Sequence, residues 1–124
     1  FVDGVTSNPS KDYQSFLESL STLDGEGSNI HRLLTAAVGI SAEGGEFMEI
    51  VKKMVFQGKP WNHDNREHLI IELGDVMWYV MQACKALHVS LDEVIECNVD
   101  KLKKRYPGGD FDVHYSENRK EGDR

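Results

Sequence analysis

Two short acidic segments, each containing glycine, lie inside long stretches of helical apolar periodicity in this chain of 124 residues. They read Glu43-Gly44-Gly45-Glu46 and Glu72-Leu73-Gly74-Asp75. Because residues three apart are neighbours on a helix surface, each pair projects its carboxylates from one face, about 5–6 Å apart at Cβ. Unpaired carboxylates are costly to half-bury beside apolar residues. The pattern therefore predicts two helices that face each other across a charged site.

The glycines beside these acids predict close helix packing. Glycine in a helix interior costs roughly 0.5–1 kcal/mol relative to alanine. We therefore expect another backbone to approach closely at Gly44, Gly45 and Gly74. Two helices packed in this way would bring four carboxylates into one small volume. Ligation by oxygen alone favours Mg²⁺ or Mn²⁺.

Apolar spacing and cap residues predict an all-α domain of four helices. Ser10 is expected to cap the first helix, Asp64 with Glu67 to form a capping box at the third, and Ser90 to begin the fourth. The expected helices cover about 11–20, 30–56, 65–87 and 91–105, with a loop at 22–29. The expected organisation is a mobile leader at 1–9, the domain at 10–107, and a polar tail at 108–124.

The third helix is apolar nearly all round, at Val76, Met77, Trp78, Val80 and Met81. A helix of this kind is normally buried on both sides, and four helices of which the first is short leave its far side uncovered. We therefore expect the four-helix bundle to be completed by oligomerisation, as a homodimer or homotetramer with closed symmetry.

Charge and composition exclude several classes of partner. The chain has 21 acidic and 14 basic residues, a net charge of −7, which disfavours nucleic-acid polymers and anionic membranes. No apolar run approaches the ~18 residues of a membrane span, and the first residues lack the features of a signal peptide. Cys84 and Cys97 have no metal-binding spacing and are interpreted as reduced thiols. A cytoplasmic location is expected.

Further polar side chains border the apolar stripes of the predicted helices. Lys53 shares a flank with the first acidic pair, and Tyr79 shares one with the second. Asn98, Lys101 and Arg105 follow at i, i+3 and i+7 on the fourth helix. Acids that bind a metal, together with a cationic strip, are typical of a site for a metal-bound polyphosphate.

These residues resemble a known family, the MazG-like nucleoside triphosphate pyrophosphohydrolases, an all-α superfamily that includes dimeric dUTPases and dCTP pyrophosphatases. The family pattern of ExxE, a gap and ExxD matches the two acidic pairs, and the similarity spans about residues 31–107. Further matches stand at Gly39-Ile40-Ser41-Ala42, Lys52-Lys53, Phe56-Gln57-Gly58-Lys59-Pro60, Val76-Met77-Trp78-Tyr79, and Asn98-x-x-Lys101-Leu102-x-x-Arg105-Tyr106-Pro107.

The resemblance implies that Glu43, Glu46, Glu72 and Asp75 bind Mg²⁺ and that a nucleoside triphosphate is hydrolysed to monophosphate and pyrophosphate, in house-cleaning or nucleotide-pool control. A carboxylate not fully engaged by metal would activate water, and Glu46 is our choice because we expect it nearest Lys53. Phosphate contacts are expected from Lys53, Lys101 and Arg105. A matching tyrosine in dCTP pyrophosphatase relatives suggests that Tyr79 packs on sugar or base, which favours deoxynucleotides, and Asn98 would bond sugar or base.

Other interpretations stay open for individual residues. The four acids could form a solvated face, Lys101 and Arg105 an ordinary cationic helix end, and Trp61 a packing residue rather than a base-stacking one. Trp78 is expected in the core or an interface, and His68 next to Glu72 in a structural or supporting role. His114, Ser116 and Arg119 of the tail could reach a neighbouring subunit's site.

Two alternative functions accompany the enzyme hypothesis. The first is a non-catalytic helical dimerisation module that keeps the fold and the metal site. The second is an enzyme of the phosphoribosyl-ATP pyrophosphohydrolase type. The presence of acids at all four positions favours an enzyme over the non-catalytic module, whereas base preference cannot be inferred from these motifs.

Overall fold

The computed structural model describes residues 1–109 and Phe111. A 3-10 turn, Asp3–Val5, is followed by α1 (Asn8–Lys11), α2 (Tyr13–Gly25), α3 (Ile30–Phe56), α4 (His63–Leu87) and α5 (Leu91–Arg105). Every regular element in this part of the chain is helical, so the predicted all-α class is confirmed. The bounds of α3 agree with the prediction at both ends.

The helix boundaries differ from prediction on the N-terminal side. The helix expected at 11–20 begins at Tyr13 and continues to Gly25, because Asp12 rather than Ser10 caps it. The Asp12 carboxylate accepts hydrogen bonds from the Ser15 amide at 3.1 Å and the Ser15 hydroxyl at 2.7 Å. The predicted loop at 22–29 is correspondingly shorter, and Gly27 takes a positive φ of 96° where the chain leaves the helix. The segment expected to be a leader contains the 3-10 turn and the start of α1.

The caps of the later helices were predicted with mixed success. The start of α4 was predicted wrongly, because the Asn62 side chain accepts from the Asn65 amide at 2.9 Å and the helix begins at His63. At α5 the capping box is confirmed, with Ser90 accepting from the Glu93 amide and the Glu93 carboxylate accepting from the Ser90 amide. Both kinds of cap satisfy amides that the first helical turn leaves unpaired.

Helices α3 and α4 form the main packed pair, and α2 packs against both α1 and α3. Within the described residues, the buried apolar side chains are Ile50 and the smaller Ala36, Cys84 and Ala86. The chain divides into two compact units, Phe1–His88 and Val89–Arg124, so that α5 belongs to the second. Cys84 is buried and Cys97 exposed, and neither forms a disulfide among the described residues.

Close packing at a glycine occurs at a different position from those predicted. A Cβ at Gly44, Gly45 or Gly74 would meet no other atom within 4 Å, so the expectation of close approach there is wrong within the chain. At Gly39, by contrast, a Cβ would overlap the ring of Tyr79. The α3 backbone thus accepts the α4 tyrosine ring one turn before the first acidic pair.

Large apolar side chains remain exposed on both long helices. Phe56 and Met48 on α3, and Ile71, Trp78 and Met81 on α4, all retain substantial solvent contact. Trp78 is 62% exposed and therefore does not lie in the core of the chain. Among the residues described, no helix is both long enough and apolar enough to cross a membrane.

Candidate active site

Three carboxylates from the two long helices converge at the centre of the α3–α4 pair. Glu43 of α3 and Glu72 and Asp75 of α4 each offer one oxygen, and these oxygens all lie within 4.8 Å of one another. The i, i+3 spacing on α4 places both of its acids on the face toward α3. Such a group of carboxylate oxygens suits a hard divalent cation.

Glu72 is a largely enclosed member of this group. Its side chain is 14% exposed, and its Oε1 lies 3.3 Å from His68 Nε2, one turn earlier on α4. Its Oε2 is buried and has no hydrogen-bond partner within the described part of the chain. An unsatisfied buried oxygen carries a desolvation cost that a bound cation would offset. The environment of Glu72 therefore fits the role of a metal ligand.

The pKa of Glu43 is raised by its place in the cluster. Burial raises its pKa above the ordinary value of 4.5, and the neighbouring carboxyl groups of Glu72, Asp75 and Glu46 raise it further. A protonated Glu43 can donate a hydrogen bond to Glu72, whereas two ionised carboxylates can only repel each other. A cation among these oxygens would remove the repulsion.

Glu46 lies apart from the other three predicted acids. It is exposed and outside the group of oxygens within 4.8 Å, although its charge acts on Glu43. It makes no ion pair with Lys53, whose Nζ lies 3.9 Å from Glu49 Oε1. Lys52 pairs with the same Glu49 at 3.4 Å. The expected nearness of Glu46 to Lys53 thus gives way to a pairing of both lysines with Glu49.

A cavity of about 710 Å³ opens between α2, α3 and α4 and reaches the acid cluster at Glu43. Its walls are mainly apolar, and Tyr79 lies beside Glu43 in its lining. The lining residues are Leu20, Ser21, Asp24, Ile30, His31, Leu34, Thr35, Val38, Gly39, Ala42, Glu43 and Tyr79. Its volume lies within the range of about 300–1,000 Å³ typical of small-molecule sites.

Several residues of this region were missed by sequence reasoning. The α2 contribution to the cavity, from Leu20, Ser21 and Asp24, depends on helix packing and had no motif to reveal it. Arg32 donates to the Gln82 side-chain oxygen at 2.7 Å across 50 positions and ties α3 to α4. The family-like segment beginning at Gly39 was noted, but its contact with Tyr79 could be found only from the packed helices.

The remaining predicted site residues lie elsewhere. Trp61 is 68% exposed in the loop between α3 and α4. Asn98 is exposed on α5, and Lys101 and Arg105 on the same helix are half-buried. These three belong to the second compact unit. His114, Ser116 and Arg119 lie outside the described residues.

Comparison with known proteins identifies the family of the chain. The MazG nucleotide pyrophosphohydrolase domain matches residues 32–109. "Gene 37 protein" of Mycobacterium phage L5 is 38% identical over 87 residues, which cover 68% of this chain and 75% of that protein. No solved structure matches the chain at a significant level.

The described chain is an all-α domain in which Glu43 of the carboxylate cluster borders a cavity. The domain match gives its family. The chain belongs to the MazG nucleotide pyrophosphohydrolase family. Membership supports nucleotide pyrophosphohydrolase activity at the level of the family, and with it a nucleotide substrate. Dependence on a divalent metal is typical of this family, and the cluster of Glu43, Glu72 and Asp75 agrees with it.

Proposed function

We propose that this chain hydrolyses a deoxynucleoside triphosphate between the α and β phosphates, yielding monophosphate and pyrophosphate, in house-cleaning or control of the nucleotide pool. The convergence of the Glu43, Glu72 and Asp75 oxygens within 4.8 Å carries the proposal. The buried, partnerless Glu72 Oε2 adds to it. Mg²⁺ or Mn²⁺ is the cofactor that such an oxygen-only group would take.

The three clustered carboxylates would hold the divalent ion. When bound, the ion neutralises the charge of the triphosphate and polarises the phosphorus under attack. His68, 3.3 Å from Glu72 Oε1, would keep that carboxylate oriented. This supporting role resembles the hydrogen bonds that commonly orient metal-ligating side chains.

Glu46 would be the general base. It lies near enough for its charge to act on Glu43 but outside the three-carboxylate group, so a metal held there would leave it free. Its carboxylate would accept a proton as the water oxygen bonds to the α-phosphorus. The bond from that phosphorus to the bridging oxygen then breaks, and pyrophosphate leaves. A base in this position contributes typically about 10²–10⁴-fold to the rate.

The cavity beside Glu43 would receive the nucleoside. Its apolar walls suit a base and a deoxyribose, while the acid cluster at Glu43 holds the phosphate end. Tyr79 would contact the sugar, because its ring lies against Gly39 and lines the cavity beside Glu43. A ribose hydroxyl pressed against an aromatic face would lose hydration without gaining a hydrogen bond.

Other predicted site residues would make additional contacts with the substrate. We assign Lys53, Lys101 and Arg105 to phosphate oxygens, Asn98 to sugar or base, and Trp61 to base stacking. Lys53 would have to exchange its pairing with Glu49 for a phosphate. Because that pair is partly exposed, breaking it costs little free energy.

A second copy of the chain would cover the exposed apolar surface of α3 and α4. Phe56, Ile71 and Trp78 together would be a hydrophobic liability on a free monomer. We propose a homodimer or homotetramer joined through these helices. Light scattering should show at least a dimer at micromolar concentration, and a stable, active monomer would contradict this assembly.

A panel of triphosphates assayed with Mg²⁺ tests the proposed reaction. The panel should include all common and several modified ribo- and deoxynucleotides, with phosphoribosyl-ATP as a further substrate. We expect monophosphate and pyrophosphate as the only products, with deoxynucleotides preferred. Diphosphate with orthophosphate would contradict the mechanism. Hydrolysis of phosphoribosyl-ATP alone, or metal binding with no turnover, would support one of the two alternative functions instead.

A further inference from the structure

The end of the cavity remote from Glu43 has a polar character of its own. Ser21 and Asp24 of α2 line it together with His31 and Thr35 of α3. Along α3, twelve residues separate His31 from Glu43, a distance of about 18 Å at 1.5 Å per residue. The lining of the cavity thus includes two carboxylates, Asp24 of α2 and Glu43 of α3, among mainly apolar walls.

Asp24 lies in an unfavourable place for an acid. It belongs to the last turn of α2, a turn with no basic residue. The negative end of the helix dipole disfavours a carboxylate there by roughly 0.3–1 kcal/mol. Within residues 1–109 and Phe111 its side chain has no hydrogen bond or ion pair. Asp24 is exposed, so water solvates its carboxylate, and a ligand in the cavity would replace that water with donors of its own.

The other polar residues that line the cavity with Asp24 determine which base edge would fit. An ionised carboxylate only accepts hydrogen bonds, through two oxygens side by side. The Thr35 hydroxyl already donates to the His31 carbonyl oxygen at 3.1 Å, so it too can offer only acceptor capacity. The Ser21 hydroxyl and the His31 ring remain able to donate. The polar end thus suits two adjacent N–H donors with a carbonyl oxygen beside them.

Guanine presents this pattern. Its N1–H and exocyclic amine are adjacent donors, and its O6 is an acceptor next to them. Uracil and thymine have one N–H between two carbonyl oxygens, which a carboxylate would repel. Adenine and cytosine place a ring acceptor beside the amine. Only guanine, among the common bases, can offer both donors to one carboxylate.

We infer that Asp24 is a specificity-determining residue that selects a guanine nucleotide by accepting from N1–H and the exocyclic amine. The Ser21 hydroxyl or the His31 ring would donate to O6. This inference rests on the proposed function, because the nucleoside must occupy the cavity with its phosphates toward Glu43. It names the nucleobase of the substrate, which the sequence motifs leave undetermined.

Binding and turnover of matched nucleotides test Asp24. The variant is Asp24→Asn, and Glu26→Gln is the control, since Glu26 carries the same charge two residues away but does not line the cavity. Calorimetry with Mg²⁺ should compare α,β-imido dGTP with α,β-imido dUTP, and kcat/KM should be measured for dGTP, dATP, dCTP and dUTP. Wild type should favour dGTP, and Asp24→Asn should lose that preference by roughly 10- to 100-fold, the scale of a bidentate base contact.

The loss should appear in Kd and KM with kcat little changed, and Glu26→Gln should behave as wild type. A wild-type enzyme without guanine preference, or an unchanged preference in Asp24→Asn, would overturn the inference while leaving the proposed reaction intact. Conversely, Asp24-dependent binding of the guanine analogue without turnover would support the inference and contradict the proposed reaction. Thermal unfolding of Asp24→Asn checks that its fold persists, and guanine preference retained in Asp24→Ala would equally overturn the inference.

Discussion

The acidic pair of α3 and the acidic pair of α4 have the same spacing but different surroundings. On α4, both Glu72, which is half-buried, and Asp75, which is exposed, belong to the carboxylate cluster. On α3, Glu43 belongs to it and is half-buried, whereas Glu46 is exposed and outside it. The α4 pair thus faces its neighbour as a unit, while the α3 pair is divided between an inner and an outer acid.

This difference assigns metal binding to three of the acids and proton transfer to the fourth. Four equivalent ligands would not divide these roles. Three clustered oxygens suffice to hold a divalent ion that also takes ligands from water and phosphate. The outer acid of α3 then stays available for proton transfer. If this division is correct, variants of the inner and outer acids should differ in metal affinity more than in catalytic rate.

The largest effect is expected for Glu72→Gln, which tests the inner group. Loss of this enclosed ligand should lower activity and Mn²⁺ affinity together, each by more than about 100-fold, because even residues that only support metal ligands matter by about 10- to 100-fold. Pyrophosphate release and calorimetric Mn²⁺ titration measure the two effects. Glu49→Gln, at a partly exposed acid on α3 that pairs with lysines, serves as the control and should retain both properties.

Glu46→Gln should affect turnover alone. The rate constant kcat should fall by about 10²–10⁴-fold, the usual contribution of a general base, while Mn²⁺ affinity stays within a few fold of wild type. Single-turnover kinetics and the same Mn²⁺ titration provide the measurement. A parallel loss of Mn²⁺ binding would show that Glu46 also binds the metal. The α3 pair would then act as a unit, like the α4 pair, which would contradict the proposed difference between the two helices.

Gly39→Ala tests the packing that positions α3 against α4 one turn before Glu43. The added methyl group would overlap the Tyr79 ring, and overpacking of this kind typically costs about 1–3 kcal/mol. Urea unfolding should show the cost, and KM should rise because the ring is displaced into the cavity. In a Tyr79→Ala background the same substitution should cost much less.

Gly44→Ala provides the matched control for this substitution. Its methyl group would meet nothing within 4 Å, so it should leave stability unchanged or raise it by about 0.5–1 kcal/mol through better helix propensity. Equal destabilisation by the two substitutions would argue against a special role for Gly39. A loss at Gly44 alone would place a partner subunit against that helix face.

The smallest effect is a pH dependence of stability in the metal-free protein. Burial and then the neighbouring acids raise the pKa of Glu43 above 4.5, so the folded state binds this proton more tightly than the unfolded state. The stability gained is present below 4.5 and is lost as pH rises through the raised pKa. Unfolding in EDTA should show wild type losing stability relative to Glu43→Gln across this window. Parallel pH profiles would contradict the assignment.

Local sequence signals predicted much of the helical framework. The bounds of α3 and the capping box at Ser90 were correct, because apolar periodicity and cap chemistry act within a few residues. The start of α2 was predicted wrongly because Ser10 and Asp12 are both good cap residues, and only the folded chain shows which one accepts the amide hydrogen bonds. The start of α4 failed for the same reason, with Asn62 in place of Asp64.

For the site, the sequence alone determined which carboxylates are available and that each pair shares a helix face, since i, i+3 geometry is a property of one helix. The tertiary structure decided that Glu43, Glu72 and Asp75 meet while Glu46 stays outside. It also decided that Gly39 rather than Gly44, Gly45 or Gly74 receives a neighbouring side chain, and that α2 lines the cavity. These outcomes depend on how one helix is rotated and shifted against another, which side-chain packing across the whole interface sets and no local pattern specifies.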